Sequence, residues 1–173
     1  PERHVDTGMG LERLCMAIQG KKSNYDTDVF TGMIDAISRL SGKAYEPQGP
    51  TGVAMRVIAD HIRAISFSIT DGQLPSNVKA GYVLRRILRR AARHGKLLGI
   101  DREFLTDVCD VVIAENVAGY PELGEKAAYI KKVMSMEEDR FNATIDAGLS
   151  KLNELIADAK ANGKTLLSGD DSF

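Results

Sequence analysis

Residues 71–96 read DGQLPSNVKAGYVLRRILRRAARHGK: turn formers in Asp71-Gly72 and Pro75-Ser76-Asn77, then a run from Lys79 to Lys96 whose charges are all positive. On a helical wheel at ~100° per residue, Arg85, Lys96, Arg89, Arg93, Arg86 and Arg90 fall in that angular order within an arc of about 140°. Ile87, Leu98, Ala91, Leu84, Leu88 and Ala92 fill most of the opposite side. The pattern predicts an amphipathic helix with one face on a core and the other offering guanidinium groups, which match phosphate oxygens better than ammonium groups do. No acidic residue interrupts the run, so (i, i+4) pairing does not account for the arginines and the face points to a polyanion. The plainer alternative is a solvated Arg-rich face that only keeps the chain soluble.

Charge is unevenly spread along the chain. Residues 53–100 carry nine Lys/Arg against Asp60 and Asp71, a net of +7, whereas residues 101–173 carry eight Lys/Arg against fifteen Asp/Glu, a net of −7. Residues 1–52 hold the remaining −1 of the total. A basic field confined to one segment suits a docking surface better than general adhesion to anions.

Outward from this helix, nearly every segment has helical periodicity, and the fold class expected is all-α, a helical bundle. Leu11 to Ile18 form one predicted helix, after an extended stretch at residues 3–7. Asp26 to Leu40 form another, with Val29, Phe30, Met33, Ile34, Ile37 and Leu40 on one stripe. Pro47, Gly49, Pro50 and Gly52 mark a loop, after which Thr51 is a candidate cap for a helix carrying Met55, Ile58, Ile62, Ile65 and Ile69. Gly95 and Gly99 are expected to loosen the end of the basic helix, and residues 101–118 to form the next. Pro121 to Ala161 read as one long helix or a broken pair.

With 173 residues, 43% of them hydrophobic, the chain can bury one good core or a core with a small appendage. No apolar run approaches the ~20 residues that span a bilayer, and the N-terminus has no secretory pattern, so a cytoplasmic protein without a membrane partner is expected. Cys15 and Cys109 lack metal-type spacing, and His4, His61 and His94 form no ligand set, so no metal site is expected. The chain begins Pro-Glu-Arg and ends Asp170-Asp171-Ser172-Phe173, which reads as a piece of something longer.

A second informative stretch is His4-Val5-Asp6-Thr7-Gly8-Met9-Gly10-Leu11-Glu12-Arg13-Leu14. Two glycines one residue apart lead into a helix, which lets a ligand approach the backbone at Gly8 and Gly10, and Arg13 can stack on a ring or bind phosphate. A GxG alone is equally a plain Gly-rich turn, and Asp6 is equally a helix cap. The full string resembles motif 3 of the class II aminoacyl-tRNA synthetases, in the version of the alanyl-tRNA synthetase family. The resemblance continues through Ser23-Asn24-Tyr25-Asp26-Thr27-Asp28, Arg56 to Arg63, Pro75-Ser76-Asn77 and Gly81 to Ile87.

That resemblance implies residues 1–22 as the strand-helix remnant of a catalytic domain and residues 23–173 as a helical tRNA-recognition domain. It implies catalytic roles for Asp6, which receives the amino group of alanine, and Arg13, which engages ATP; Gly8 and Gly10 line the small-substrate and nucleotide site. ATP with Mg is the implied cofactor of the whole enzyme, and the implied partners are alanine, the tRNA(Ala) acceptor stem and the remaining domains of the same polypeptide. Asn77 matches the residue that the family sets against a G·U wobble pair. Arg89 is a candidate for further recognition, and Arg85, Arg86, Arg90 and Arg93 complete the expected tRNA-binding face. A piece of this kind is not expected to charge tRNA alone. The readings from other classes are a stand-alone helical module that puts the basic helix into a DNA major groove, and a helical adaptor that meets an acidic protein. Neither gives DTGMGLERL a role.

Overall fold

The computed structural model describes residues 7–163 and 165–169, and among these the periodicity becomes seven α-helices and one 3-10 turn, with no strand. The helices are α1 (Leu11–Ile18), α2 (Asp28–Ser41), α3 (Pro50–Thr70), α4 (Lys79–Leu97), α5 (Leu105–Asn116), α6 (Pro121–Glu125) and α7 (Ala127–Ala161), and the 3-10 turn is Asn24–Asp26. The extended stretch and strand remnant expected near the N-terminus fall on residues 3–7, of which only Thr7 is described, outside any strand.

Met55, Ile58, Ile62 and Ile65 recur every three or four residues along α3 and are fully buried, and Ala54 and Ala59 widen that buried face at its two edges. So broad a buried face takes several neighbours, and α3 packs along α4 and also against α2, α5, α6 and α7. Leu88, Ala91, Phe104, Val108, Val112, Ile130 and Met134 close the same core from α4 to α7. No residue of α1 is buried; it lies against the 3-10 turn and is tied to α3 by Arg63, whose Nη1 donates to Glu12 Oε1 at 2.6 Å.

Three boundaries differ from the sequence expectation, and a fourth is decided between two forms. Asp26 belongs to the 3-10 turn rather than to α2, because the Thr27 hydroxyl donates to Asn24 O at 2.6 Å and turns the chain before Asp28. Thr51 does not cap α3: Gly49 is the cap residue, and Pro50, with its preset φ and no N–H to satisfy, takes the first helical position. Gly95 does not loosen α4, which runs through it to Leu97. It is buried because a Cβ there would stand 2.2 Å from the Phe104 ring. Of the two forms allowed for residues 121–161, the broken pair is present, with the break at Lys126. Lys126 Nζ donates to Thr70 O at 2.7 Å, placing a cation at the carbonyl end of α3.

The N-terminus of α5 is capped from another helix. Glu138 on α7 is buried, and its two carboxylate oxygens accept the backbone N–H groups of Phe104 and Leu105 at 3.1 and 3.2 Å. This joins α7 to α5 at the point where Phe104 packs on α4. Beyond Glu138 no residue of α7 is buried, so the bundle ends about a third of the way along that helix.

Candidate nucleic-acid interface

The turn between α3 and α4 is folded onto the first turn of α4. Gly72, at φ 90°, ends α3 in a left-handed conformation. Ser76 N–H donates to Gly81 O at 2.9 Å, while the Ser76 hydroxyl donates to Val78 O at 2.9 Å. Gly81 permits this closure, since a Cβ there would stand 2.5 Å from Leu74 O and 2.2 Å from Ser76 Oγ. Leu74 and Pro75 line one side of a cleft of about 140 Å³ whose other side is Val133, Met136, Glu137 and Arg140 of α7. Asn77 is left exposed at the tip, followed by Val78 and Lys79, also exposed. Lys79 has φ 52°, a left-handed conformation at the first residue of the helix.

The six cations of the basic arc divide by their place in it. Arg85, Lys96 and Arg89, which open the arc, are partly buried, whereas Arg93, Arg86 and Arg90, which close it, are exposed. Glu137, buried on α7, faces the first part. Its Oε1 accepts from Arg89 Nε at 2.8 Å and stands 2.8 Å from Arg89 Nη2. Arg85 Nε lies 3.2 Å from the same oxygen, close enough for an ion pair but not aligned as a hydrogen bond. Arg89 also lies over the Phe141 ring, 5.5 Å from its centroid. Arg85 Nη1 donates to Asn77 Oδ1. The absence of acids within the helix holds, but an acid from another helix supplies the pairing for two of its arginines.

Arg86, Arg90 and Arg93 therefore form the open cationic surface, Arg86 lying 5.7 Å from the Tyr82 ring centroid. His94 adds no charge at neutral pH: burial, and then the neighbouring Arg90 and Arg93, hold its imidazole below the usual range. Arg56 and Arg63, elsewhere in the basic segment, are absorbed into the fold. Arg56 Nη1 donates to Pro47 O at 2.6 Å and stacks toward Tyr25, and Arg63 pairs with Glu12 over the Phe30 ring.

The motif-like segment is displayed rather than enclosed. Gly8, Gly10 and Arg13 are exposed, and a Cβ on Gly8 would meet nothing within 4 Å. Met9, Leu11, Leu14 and Ile18 are exposed on the same segment. Asp6 lies outside the described residues. Among the described residues no group of three or more His, Cys, Asp or Glu converges as a metal site, and no helix is long and apolar enough to cross a membrane.

The residue missed from sequence is Glu137. Ile130, Met134 and Phe141 mark a stripe of α7, and an acid at 137 falls on it, three residues after Met134 and four before Phe141. An acid on an apolar stripe signals a buried partner, and the cations lie 48 and 52 residues upstream.

Comparison with known proteins gives a family match over the whole chain. The model for class II (A) tRNA synthetases matches residues 1–173. An alanine-tRNA ligase of Bacteroides fragilis is 54% identical over 174 residues, covering all of this chain and 20% of that protein. Another, of Cytophaga hutchinsonii, is 52% identical over the same length and share. A third, of Anaeromyxobacter dehalogenans, is 52% identical over 95% of this chain and 19% of its own length. The chain spans about a fifth of the length of these curated relatives.

Proposed function

The chain belongs to the class II tRNA synthetase family, and from that membership we propose that it serves as the acceptor-stem platform and nucleotide-facing helix of an alanine-tRNA ligase. The whole enzyme joins alanine to ATP as an adenylate and passes the alanyl group to the 3′ end of tRNA(Ala) in the cytoplasm. Residues 1–22 belong to its catalytic domain and residues 23–173 to its tRNA-recognition domain. The observation that carries this reading is the open row of Arg86, Arg90 and Arg93 beside the exposed Asn77, in a chain matched along its whole length by alanine-tRNA ligases.

Arg86, Arg90 and Arg93 position the RNA through its phosphates, and Asn77 reads a base pair. An A-form stem suits this division, because its shallow minor groove exposes base edges and 2′-hydroxyls to a side chain on a turn. The amide of Asn77 both donates and accepts, which a G·U wobble pair requires.

For ATP, the exposed backbone at Gly8 and Gly10 and the free guanidinium of Arg13 fit one wall of a nucleotide site. Arg13 would hold the adenine ring or a phosphate there, and ATP supplies the adenylyl group for adenylate formation, with pyrophosphate as the leaving group. Asp6 would receive the alanine ammonium. No magnesium site is assigned to this segment.

The test compares binding of an alanine-type acceptor-stem hairpin with one whose G·U is changed to G·C, across a salt series. Preference for the G·U stem that disappears in Asn77→Ala supports the reading. Equal affinity of the wild-type chain for both stems removes Asn77 as reader, and salt-independent binding removes the arginine row as the phosphate-binding surface.

A further inference from the structure

Arginine carries only donors, so the Asn77 atom that faces Arg85 Nη1 has to be the amide oxygen. This settles the orientation of the Asn77 amide chemically: Oδ1 is turned toward α4, and Nδ2 with its two donors points away from it. Arg85 is itself held. Its Nε is paired with Glu137, and Glu137 is buried on α7, anchored a second time by Arg89. The turn that carries Asn77 faces the same stretch of α7 across the cleft that Leu74 and Pro75 line. One carboxylate thus both pairs with the guanidinium that contacts the reader and lines the cleft that the reader's turn faces.

We propose that Glu137 is a positioning residue for Asn77, acting through Arg85 to fix which end of the amide faces the RNA; the proposal rests on the acceptor-stem reading above. An oriented amide presents its donors and its remaining oxygen lone pair in one fixed order. In the minor groove a wobble pair offers the guanine amino group and the uracil carbonyl, and their order reverses when G and U exchange strands. A fixed amide therefore distinguishes G·U from U·G, whereas a freely rotating one fits both by flipping. Arg85 suits the task because its fork spans two acceptors at once; a lysine ammonium is a point charge that does not hold both in one plane.

The experiment uses three hairpins, G·U, inverted U·G and G·C, with the wild-type chain, Glu137→Gln and Arg85→Lys, each checked for folding by far-UV circular dichroism. The wild type prefers G·U over U·G by about tenfold, the worth of one well-placed hydrogen bond to a base edge. Glu137→Gln and Arg85→Lys each reduce that ratio to about twofold or less, because affinity for U·G rises toward that for G·U, and Arg85→Lys, which keeps the charge opposite Glu137, leaves the salt slope near wild type. Arg85→Lys carries the test if Glu137→Gln does not fold, because it keeps a cation opposite Glu137. Side-chain ¹⁵N relaxation of Asn77 supplies a readout without RNA: an ordered NH₂ in the wild type becomes mobile in both variants. Folded variants that retain the full G·U over U·G ratio, or an Asn77 amide equally ordered in all three proteins, overturn the positioning role. A wild type indifferent to the three hairpins overturns the acceptor-stem reading instead, and the relaxation data then report the Glu137–Arg85–Asn77 coupling separately.

Discussion

Glu137 on α7 and Arg89 on α4 are paired at 2.8 Å, and the Glu137 side chain is buried while that of Arg89 remains about a third exposed. The pairing converts an arc that looks uniform on a helical wheel into two functional halves. Glu137 balances one of the two guanidinium charges it faces, so on the acceptor-stem reading Arg85 and Arg89 together release fewer counterions on meeting RNA than two free cations do. The free cations carry the salt dependence.

Substitution of Arg86, Arg90 or Arg93 by Ala is expected to weaken stem binding and to reduce the log–log salt slope by about 0.7 to 0.9 for each phosphate left unneutralised. Arg89→Ala is expected to leave the slope near wild type while lowering stability by about 1–3 kcal/mol, because it strips the buried Glu137 of its best-aligned partner and uncovers Phe141. Binding titrations at several salt concentrations, alongside urea unfolding of each variant, separate the two classes. A slope change for Arg89→Ala equal to that for Arg90→Ala would show that the division of the arc is wrong.

The first residue of α4 offers a second prediction. Lys79 has φ 52°, where an L-residue costs roughly 1–2 kcal/mol relative to a right-handed conformation and glycine does not. Glycine also loses more conformational freedom on folding, about 0.5–1 kcal/mol. Lys79→Gly should therefore be more stable than Lys79→Ala by about 0.5–1 kcal/mol, the alanine variant controlling for the removed charge. Equal midpoints in urea unfolding would mean that the turn relaxes without strain.

Glu138 gives stability a pH dependence of definite sign. Burial above all, with a smaller push from the nearby acids Glu103 and Asp139, raises its carboxyl to about 7 against the opposing pull of the Phe104 and Leu105 amides. A carboxyl whose pKa is higher in the folded chain than the ordinary 4.5 binds its proton more tightly when folded. Its stabilising contribution is complete below about pH 4.5 and is lost as pH rises through about 7, a change of up to about 3 kcal/mol. The difference in thermal midpoint between wild type and Glu138→Gln should thus shift in favour of the variant between about pH 5 and pH 8. A constant difference across that range would place the carboxyl in its ordinary range.

The helix faces were legible because burial against a single core imposes a 3.6-residue period, and Leu84, Leu88, Ala91 and Ala92 are buried as that period requires. That Asn77 and much of the arginine arc are exposed was legible for the complementary reason, that a turn and a polar arc face outward, whereas the role expected of Asn77 came from the family resemblance. What the period does not encode is which distant residue meets a given side chain. Glu137 reaches Arg89 across 48 residues, and nothing local at either position specifies the other. Glycines were the other ambiguity, since the same residue serves for backbone freedom at Gly99, with φ 83°, and for lack of a side chain at Gly95.

Gly95 provides the test of that last distinction. In an exposed helix interior, Gly→Ala stabilises by about 1 kcal/mol. At Gly95 the added Cβ would stand 2.2 Å from Cε1 and 2.4 Å from Cζ of Phe104. That ring is buried and its backbone N–H is held by Glu138, so it has little room to retreat. Overpacking a closed core costs about 1–3 kcal/mol, which outweighs the propensity gain, and Gly95→Ala should destabilise by about 1–2 kcal/mol. In a Phe104→Leu background, where the ring edge is gone, the same substitution should cost less and can become stabilising. The coupling from this double-mutant cycle is the decisive quantity. Additive effects would mean that the packing of α4 on Phe104 does not depend on the missing side chain of Gly95.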